Sequence, residues 1–240
     1  MQVYDELKTR FWELCRQNHL LDEQVAVRAL ALTTEEAIGH PEEQDFPIQK
    51  GKERLMQANF RGAAGQAYTD RCGDFLGNLE EILTMPLANN YRRAVFVATL
   101  NAVLKYLGLI KGTIHCRNQA PQECARELAG YLRRRFGAVK VTQVGFQPRI
   151  VQEISPILRL RLLDLDVDHI GTEKFGVTVE GPEKTREALQ WADVLLVTGT
   201  TLVNESIGQF LLDKPVIFYG TTIAGAAYLL GWERFCPKSL

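Results

Sequence analysis

The spacing of hydrophobic and polar positions changes character near residue 138 of this 240-residue chain. Before that point the pattern predicts helices over residues 4–21, 92–107 and 121–136, and strands over residues 24–33 and 54–59. This mixture of elements predicts a small α+β domain over residues 1–137.

Two stretches of the first part lack a clear period. Residues 34–52 are polar and contain Gly39, Pro41 and Pro47, so we expect a loop or excursion. Residues 60–77 are dense in glycine and irregular, which suggests a backbone that lies close to another part of the molecule.

From residue 138 onward, apolar runs of strand length alternate with helical patterns. The predicted strands are 139–144, 160–165 and 175–179, and the predicted helices are 149–158 and 182–191. Alternation of this kind is typical of right-handed βαβ crossovers around a mostly parallel sheet. Residues 138–240 are therefore expected to form a Rossmann-like α/β domain.

Two similar units close the chain. Asp193-Val-Leu-Leu-Val-Thr-Gly-Thr-Thr201 and Pro215-Val-Ile-Phe-Tyr-Gly-Thr-Thr222 each place a Gly-Thr-Thr corner between an apolar run and a helical pattern. An uninterrupted apolar run fits a strand buried on both faces. The threonine hydroxyls are expected to meet the unpaired amide groups of the next helix. Neighbouring parallel strands would bring both corners to the sheet edge where α/β proteins bind ligands.

This edge is the predicted ligand site, either for an anion or for a polar small molecule. The alternative is that the corners act only as turns and caps. The candidate ligand-binding residues are Gly145, Asp166, Gly199, Thr200, Thr201, Asn204, Gly220, Thr221 and Thr222.

A nucleotide cofactor is not expected. Asp166 follows Gly145 by 21 positions, close to the offset of a ribose-binding acid, but Gly145-Phe-Gln-Pro-Arg-Ile150 is not Gly-x-Gly-x-x-Gly. The phosphate-binding loop of common nucleotide hydrolases is also absent from the sequence.

A second candidate site contains thiols and an imidazole. His115, Cys116 and Cys124 are soft or borderline donors suited to a transition or heavy metal ion. Their spacing matches no standard zinc motif, so ordinary reduced thiols are the alternative. Cys72 and Cys236 would join this site only if the fold brought them to it.

Composition restricts the partners. A formal net charge of −1 gives no basis for binding to nucleic acid or to an anionic membrane. No apolar run approaches the roughly 20 residues that span a bilayer. Residues 1–20 lack the apolar core of a signal peptide, so a cytoplasmic protein is expected. A homodimer is compatible with the sequence, although no feature of it predicts one.

Four segments carry a family resemblance. They are Arg93-Ala-Val-Phe-Val-Ala-Thr-Leu-Asn-Ala102, Gly112-Thr-Ile-His-Cys116, Thr198-Gly-Thr-Thr-Leu-Val-Asn204 and Tyr219-Gly-Thr-Thr-Ile-Ala-Gly225. Together they resemble the putative heavy-metal chelation family, most clearly over residues 93–236. The resemblance implies an enolase-N-terminal-like α+β domain, a following Rossmann-like domain and a site in the cleft between them.

The leading hypothesis is therefore binding of a metal ion or metal complex in that cleft, with His115, Cys116 and Cys124 as soft ligands. The alternative is an enzyme, a lyase or a transferase, that acts on a small anionic or nucleotide-like ligand at the Gly-Thr-Thr edge. A non-enzymatic scaffold or oligomer subunit is a third hypothesis.

Overall fold

The computed structural model describes residues 2–21, 27–39 and 53–240. The helices are α1 (Gln2–Gln17), α2 (Thr34–Ile38), α3 (Leu79–Thr84), α4 (Asn90–Tyr106), α5 (Ala120–Phe136), α6 (Pro148–Ile154), α7 (Thr185–Trp191), α8 (Thr200–Val203) and α9 (Ala224–Leu230). The strands are β1 (Val27–Ala31), β2 (Arg54–Phe60), β3 (Ala63–Thr69), β4 (Phe75–Gly77), β5 (Lys140–Val144), β6 (Arg159–Leu163), β7 (Glu173–Lys174), β8 (Val177–Glu180), β9 (Val194–Thr198), β10 (Val216–Tyr219) and β11 (Arg234–Phe235). Short 3-10 turns occupy Pro182–Lys184 and Ile207–Phe210.

Within these residues the strands form two sheets. The first has the order β3-β2-β1-β4, and its pairs are antiparallel. The second has the order β11-β10-β9-β5-β6-β8-β7, and its pairs are parallel apart from β7 with β8. The predicted α/β class with a mostly parallel sheet is confirmed.

The strand order of the second sheet reverses beside β5. The chain passes from β5 to its neighbour β6 on one side, and it later returns to β9 on the other side. The crevice beyond the carboxyl ends of two such strands is the usual ligand site of open α/β sheets. The ends of β5 and β9 therefore mark the place to search for a site.

Helix α4 lies at the centre of the molecule. Every residue from 93 to 104 is buried, so the helix is enclosed on all sides and does not present a single apolar face. The largest hydrophobic core contains side chains of α1 and α4 together with side chains from β9, β10 and α9. The parts of the chain before and after residue 137 thus share one core, and the division of the chain there stays a proposal.

The glycine-rich stretch 60–77 differs from the prediction, because it contains β3 and β4 instead of irregular backbone. Its predicted close approach is present: a Cβ at Gly65 would lie 2.2 Å from the backbone nitrogen of Ala102 and 2.5 Å from the carbonyl oxygen of Ala98. Strand β3 is built from small residues because α4 packs directly against its backbone. Packing has outweighed their weak intrinsic strand preference.

The stretch 34–52 also differs in its first residues, where Thr33 and Glu36 form a reciprocal capping box at the start of α2. Residues 40–52, and the first three residues of the strand predicted at 24–33, lie outside the described part of the chain. Across the described ranges, the helices are too short or too polar to cross a bilayer.

Candidate functional site

A cavity of about 590 Å³ lies beyond the carboxyl ends of β5 and β9. Both parts of the chain line it. Glu53, Tyr68, Asp70, Asn90 and His115 contribute from the first part, and Gly145, Phe146, Asp164, Asp166, His169, Thr198, Gly199, Thr200, Asn204, Tyr219, Gly220 and Thr222 contribute from the second. We call this cavity the cleft.

The two Gly-Thr-Thr corners meet at one wall of the cleft. Strands β9 and β10 pair in parallel, with Thr198 opposite Tyr219. A Cβ at Gly199 would lie 2.7 Å from the backbone nitrogen of Ile223, so the first corner packs directly on the second. Glycine is required at this contact because no side chain fits between the corners.

The hydroxyls of these corners do not cap the helices, contrary to the prediction. The N-cap residues of α8 and α9 are Gly199 and Ile223, and neither helix has a side-chain cap. Thr222 instead accepts a hydrogen bond from the backbone N–H of Tyr68 at 3.0 Å, which ties the second corner to β3. Thr201 donates to the carbonyl of Thr198 at 2.7 Å. These two hydroxyls are therefore engaged within the protein.

Seven of the nine residues predicted to bind a ligand line the cleft; the remaining two are Thr201 and Thr221. Thr201 lines a smaller adjoining cavity of about 190 Å³. Thr221 is buried away from both cavities. The fold thus gathers most of the predicted residues at one edge of the sheet.

An amide group of the turn after β5 is bound by a carboxylate of the protein itself. Gly145 has a φ of 89°, and the next amide, that of Phe146, donates to the Asp164 carboxylate at 2.6 Å. Asp164 also accepts the backbone N–H of Asp166 at 2.7 Å. The Asp164 carboxylate therefore occupies one amide group after β5 and one after β6.

The cleft is acidic. Glu53, Asp70, Asp164 and Asp166 line it, and no lysine or arginine does among the described lining residues. Burial, and then the negative charges of Asp164 and Asp166, raise the pKa of Glu53 to about 7. The negative charges of Asp164 and Asp166 therefore add to burial in disfavouring ionisation of Glu53.

A hydrogen-bond network fixes the mouth of the cleft. The side-chain amide of Asn90 donates to Asp70 at 2.7 Å and to the amide oxygen of Asn204 at 3.3 Å. Arg93 is buried and donates to the Asn90 side chain at 2.5 Å and to the Val203 carbonyl at 2.6 Å. Asn204 is thereby oriented from the first part of the chain.

Two imidazoles border the cleft. The Nδ1 of His115 is buried and has no hydrogen-bond partner among the described residues. Its ring packs edge-on against Tyr68 with centroids 5.5 Å apart. Burial lowers the pKa of His115. His169 is 4% exposed, and its Nδ1 lies 3.7 Å from the Asp166 carboxylate, too far for a hydrogen bond. Both rings are placed to contact a bound molecule.

Three of the cysteines lie in the region of His115. Cys116 is buried, and Cys124 and Cys236 are half-buried. The fold also brings Cys236 to this region, where it interacts electrostatically with Cys124, Cys116 and His115. Cys72 is exposed on the surface instead.

These donors do not form a preformed metal site. Among the residues that the structure describes, no three histidine, cysteine, aspartate or glutamate side chains are arranged to hold a metal ion. Burial raises the pKa of Cys116 to about 12, which keeps this thiol protonated. His115, Cys116 and Cys124 therefore lie in one region of the fold, but they are not arranged to hold one metal ion.

Several residues of the cleft carry no signal in the sequence. Glu53 and Tyr68 lie in or beside weakly patterned segments, and only the fold places them opposite β5 and β9. Asp164 was detectable as one of several acids after a predicted strand.

The sequence matches a family model over part of its length. Residues 129–223 match the family described as "Putative heavy-metal chelation". The resemblance expected from the sequence is confirmed over these residues. None of the curated proteins matches the chain.

Two solved structures of proteins of unknown function from this family share the fold. The protein from Pyrococcus horikoshii has 13% sequence identity and a TM-score of 0.53, over 92% of this chain and 79% of its own. The protein from Desulfitobacterium hafniense has 14% identity and a TM-score of 0.51, over 74% of this chain and 72% of its own. At such identities the likeness establishes the fold alone.

Proposed function

We propose that the cleft binds a positively charged complex, in which a metal ion is already chelated by small ligands. One observation carries the proposal: four carboxylates line the cleft, and no lysine or arginine does among the described lining residues. A cationic ligand would relieve the repulsion that raises the pKa of Glu53.

The size of the cleft favours a complex over a bare ion. A volume of about 590 Å³ suits a small molecule, since ligand pockets commonly span about 300–1,000 Å³. The described residues offer no group of three side chains arranged to hold an ion. A metal that arrives with its own ligands needs charge and hydrogen bonds from the protein, not a complete coordination sphere.

The lining residues divide into two roles. The carboxylates of Glu53, Asp164 and Asp166 supply the negative field. Thr198 and Thr200, whose hydroxyls lie 3.2 Å apart, present oxygens that accept hydrogen bonds from the outer ligands of a complex. The family description, with its reference to chelation, supports a metal as the cargo.

The anionic-ligand hypothesis is less well supported. A negatively charged metabolite would meet four carboxylates, and the Phe146 amide that could receive it already binds Asp164. The described lining at the sheet edge is acidic, which would repel an anionic ligand.

Two complexes of one metal test the proposal directly. Hexaamminecobalt(III) is cationic, and the cobalt(III) complex of EDTA is anionic, and both exchange their ligands slowly. Isothermal titration calorimetry at low ionic strength should show one saturable site for the cation and none for the anion. Binding of the anion alone would overturn the proposal and favour the alternative.

Variants locate the site. Glu53→Gln combined with Asp166→Asn should weaken binding of hexaamminecobalt(III) at least tenfold. Asp168→Asn is the matched control, because this exposed acid belongs to the same loop but does not line the cleft. Equal weakening by the control would show that the cation binds to the general surface charge, and the cleft assignment would then be wrong.

A further inference from the structure

The smaller cavity of about 190 Å³ adjoins the acidic cleft. Glu53, Asp164, Thr198 and Thr200 line both cavities, so the two spaces meet at two of the carboxylates. We call the smaller cavity the annex. A cation held by these carboxylates therefore lies next to a second space that its ligands can enter.

The annex changes in character away from the carboxylates. Val144, Leu163 and Phe210 line the annex but not the cleft, and all three side chains are buried. They lie at the ends of β5 and β6 and at the end of the 3-10 turn Ile207–Phe210. Among the described residues that line the annex alone, none is charged. The inner part of the annex is therefore neutral and presents hydrocarbon surface.

Two hydroxyls of the annex are already engaged within the protein. Thr201 donates to the carbonyl of Thr198 at 2.7 Å, and Ser206 donates to the carbonyl of Thr201 at 3.4 Å. An apolar group in the annex would leave neither of these protons unpaired. Its desolvation cost would therefore be small at these positions.

The volume of the annex suits one small ring. An apolar protein cavity of about 150 Å³ is large enough to hold a benzene molecule. The annex, at about 190 Å³, is slightly larger. Burial of a ring there would remove apolar surface from water, which favours binding.

We propose that the annex binds an aromatic ring, or a hydrocarbon group of similar size, carried by an organic ligand of the metal complex. The assignment rests on the function proposed for the cleft, because the carboxylates shared by the two cavities hold the cationic part of the ligand. It narrows the cargo to complexes with an apolar arm. A complex with only ammonia or water as ligands would leave the annex unused.

Two cobalt(III) complexes of equal charge test the annex. Pentaamminepyridinecobalt(III) differs from hexaamminecobalt(III) in one ligand, because an aromatic ring replaces one ammonia. Isothermal titration calorimetry on the full chain should show about tenfold or greater preference for the pyridine complex, since burial of the ring adds to the same ionic attraction.

The outcomes separate the annex from the cleft. Equal affinities for the two complexes, or weaker binding of the pyridine complex, would overturn the annex assignment and leave the function proposed for the cleft intact. Binding of neither complex would overturn both.

A variant that fills the annex locates the ring. Thr185 is half-buried at the start of α7 and lines the annex but not the cleft, so Thr185→Phe should bring the ratio of the two affinities to about one. Thr9→Phe, at an exposed threonine of α1, is the matched control and should keep the wild-type ratio. A ratio that Thr185→Phe leaves unchanged would show that the ring binds elsewhere.

Nuclear Overhauser effects locate the ring without a variant. Low-spin cobalt(III) is diamagnetic, so the pyridine protons can be followed in the complex with the wild-type protein. Contacts with the methyl groups of Val144 and Leu163 are expected, since both residues line the annex and not the cleft. Contacts with Ile38 and Val167 alone, which line only the cleft, would overturn the assignment.

Discussion

The side-chain oxygen of Asn101 accepts a hydrogen bond from the backbone N–H of Gly225 at 2.7 Å in the interior of the protein. The amide nitrogen of Asn101 donates to the carbonyls of Gln66 at 2.9 Å and Thr221 at 3.2 Å. One buried side chain therefore joins α4, β3 and the second Gly-Thr-Thr corner. The position of the cleft wall depends on this junction.

Asn101→Ala should destabilise the protein by about 2–4 kcal/mol, because buried donors and acceptors left unpaired each cost about 1–3 kcal/mol. Urea unfolding followed by circular dichroism measures the change. Asn18→Ala is the control, since the Asn18 side chain donates only to the Leu14 carbonyl on the exposed face at the end of α1. If both variants lost the same free energy of unfolding, the buried hydrogen bonds of Asn101 would contribute no more to stability than the exposed one of Asn18.

Gly65→Ala should separate α4 from β3. The new methyl group would lie 2.2 Å from the backbone nitrogen of Ala102 and 2.5 Å from the carbonyl oxygen of Ala98. Both atoms belong to the backbone of α4, which cannot rotate away as a side chain can. We expect a loss of about 3 kcal/mol, in the upper range for overpacked cores.

Gly208→Ala serves as the control for this substitution, because nothing lies within 4 Å of a Cβ there. Its unfolding free energy should stay within about 0.5 kcal/mol of the wild-type value. If thermal and urea unfolding did not distinguish the two variants, the close approach of strand and helix would be disproved.

Glu53 should make stability depend on pH. Its pKa is about 7 in the folded protein and near 4.5 in the unfolded chain, so between these values the folded state binds more protons. The contribution of Glu53 to the free energy of unfolding, measured relative to Glu53→Gln, is therefore fully present below pH 4.5. It is lost as the pH rises towards and through 7.

Urea unfolding of the wild-type protein and Glu53→Gln between pH 4 and 8, with EDTA present, measures this dependence. The difference in unfolding free energy between the two proteins should change mainly from pH 4.5 to 7 and should level off above pH 7. Glu173→Gln, at an exposed glutamate on β7, is the charge-matched control. A wild-type profile parallel to that of Glu53→Gln would refute the raised pKa.

Local patterns predicted the second part of the chain well. Strand β5 lies within one residue of the predicted range 139–144 at both ends, and β9 coincides with the apolar run that begins after Asp193. An apolar run of this length fits a strand buried on both faces. The helix around Asn101 was also predicted, but its complete burial was not. That burial depends on β3 and α9 packing against the helix from different sides.

The small residues of β3 were interpreted as irregular backbone because their strand preference is weak. Only the contact of Gly65 with α4 explains why small residues belong in that strand. Similarly, the corner threonines were predicted as helix caps from their local position. The hydroxyl of Thr222 instead bonds to Tyr68, a residue that is distant in the sequence.

Sequence patterns alone predicted the α/β class, the parallel arrangement of the last strands and the sheet edge that carries Gly145, Gly199 and Gly220. These features follow from short-range periodicity and turn chemistry, which each segment carries independently. Glu53 and Asp164 lie in one cleft because of long-range packing, which short-range patterns do not reveal. The charge of the described cleft lining depends on distances between residues far apart in the chain, and packing of the whole core sets those distances.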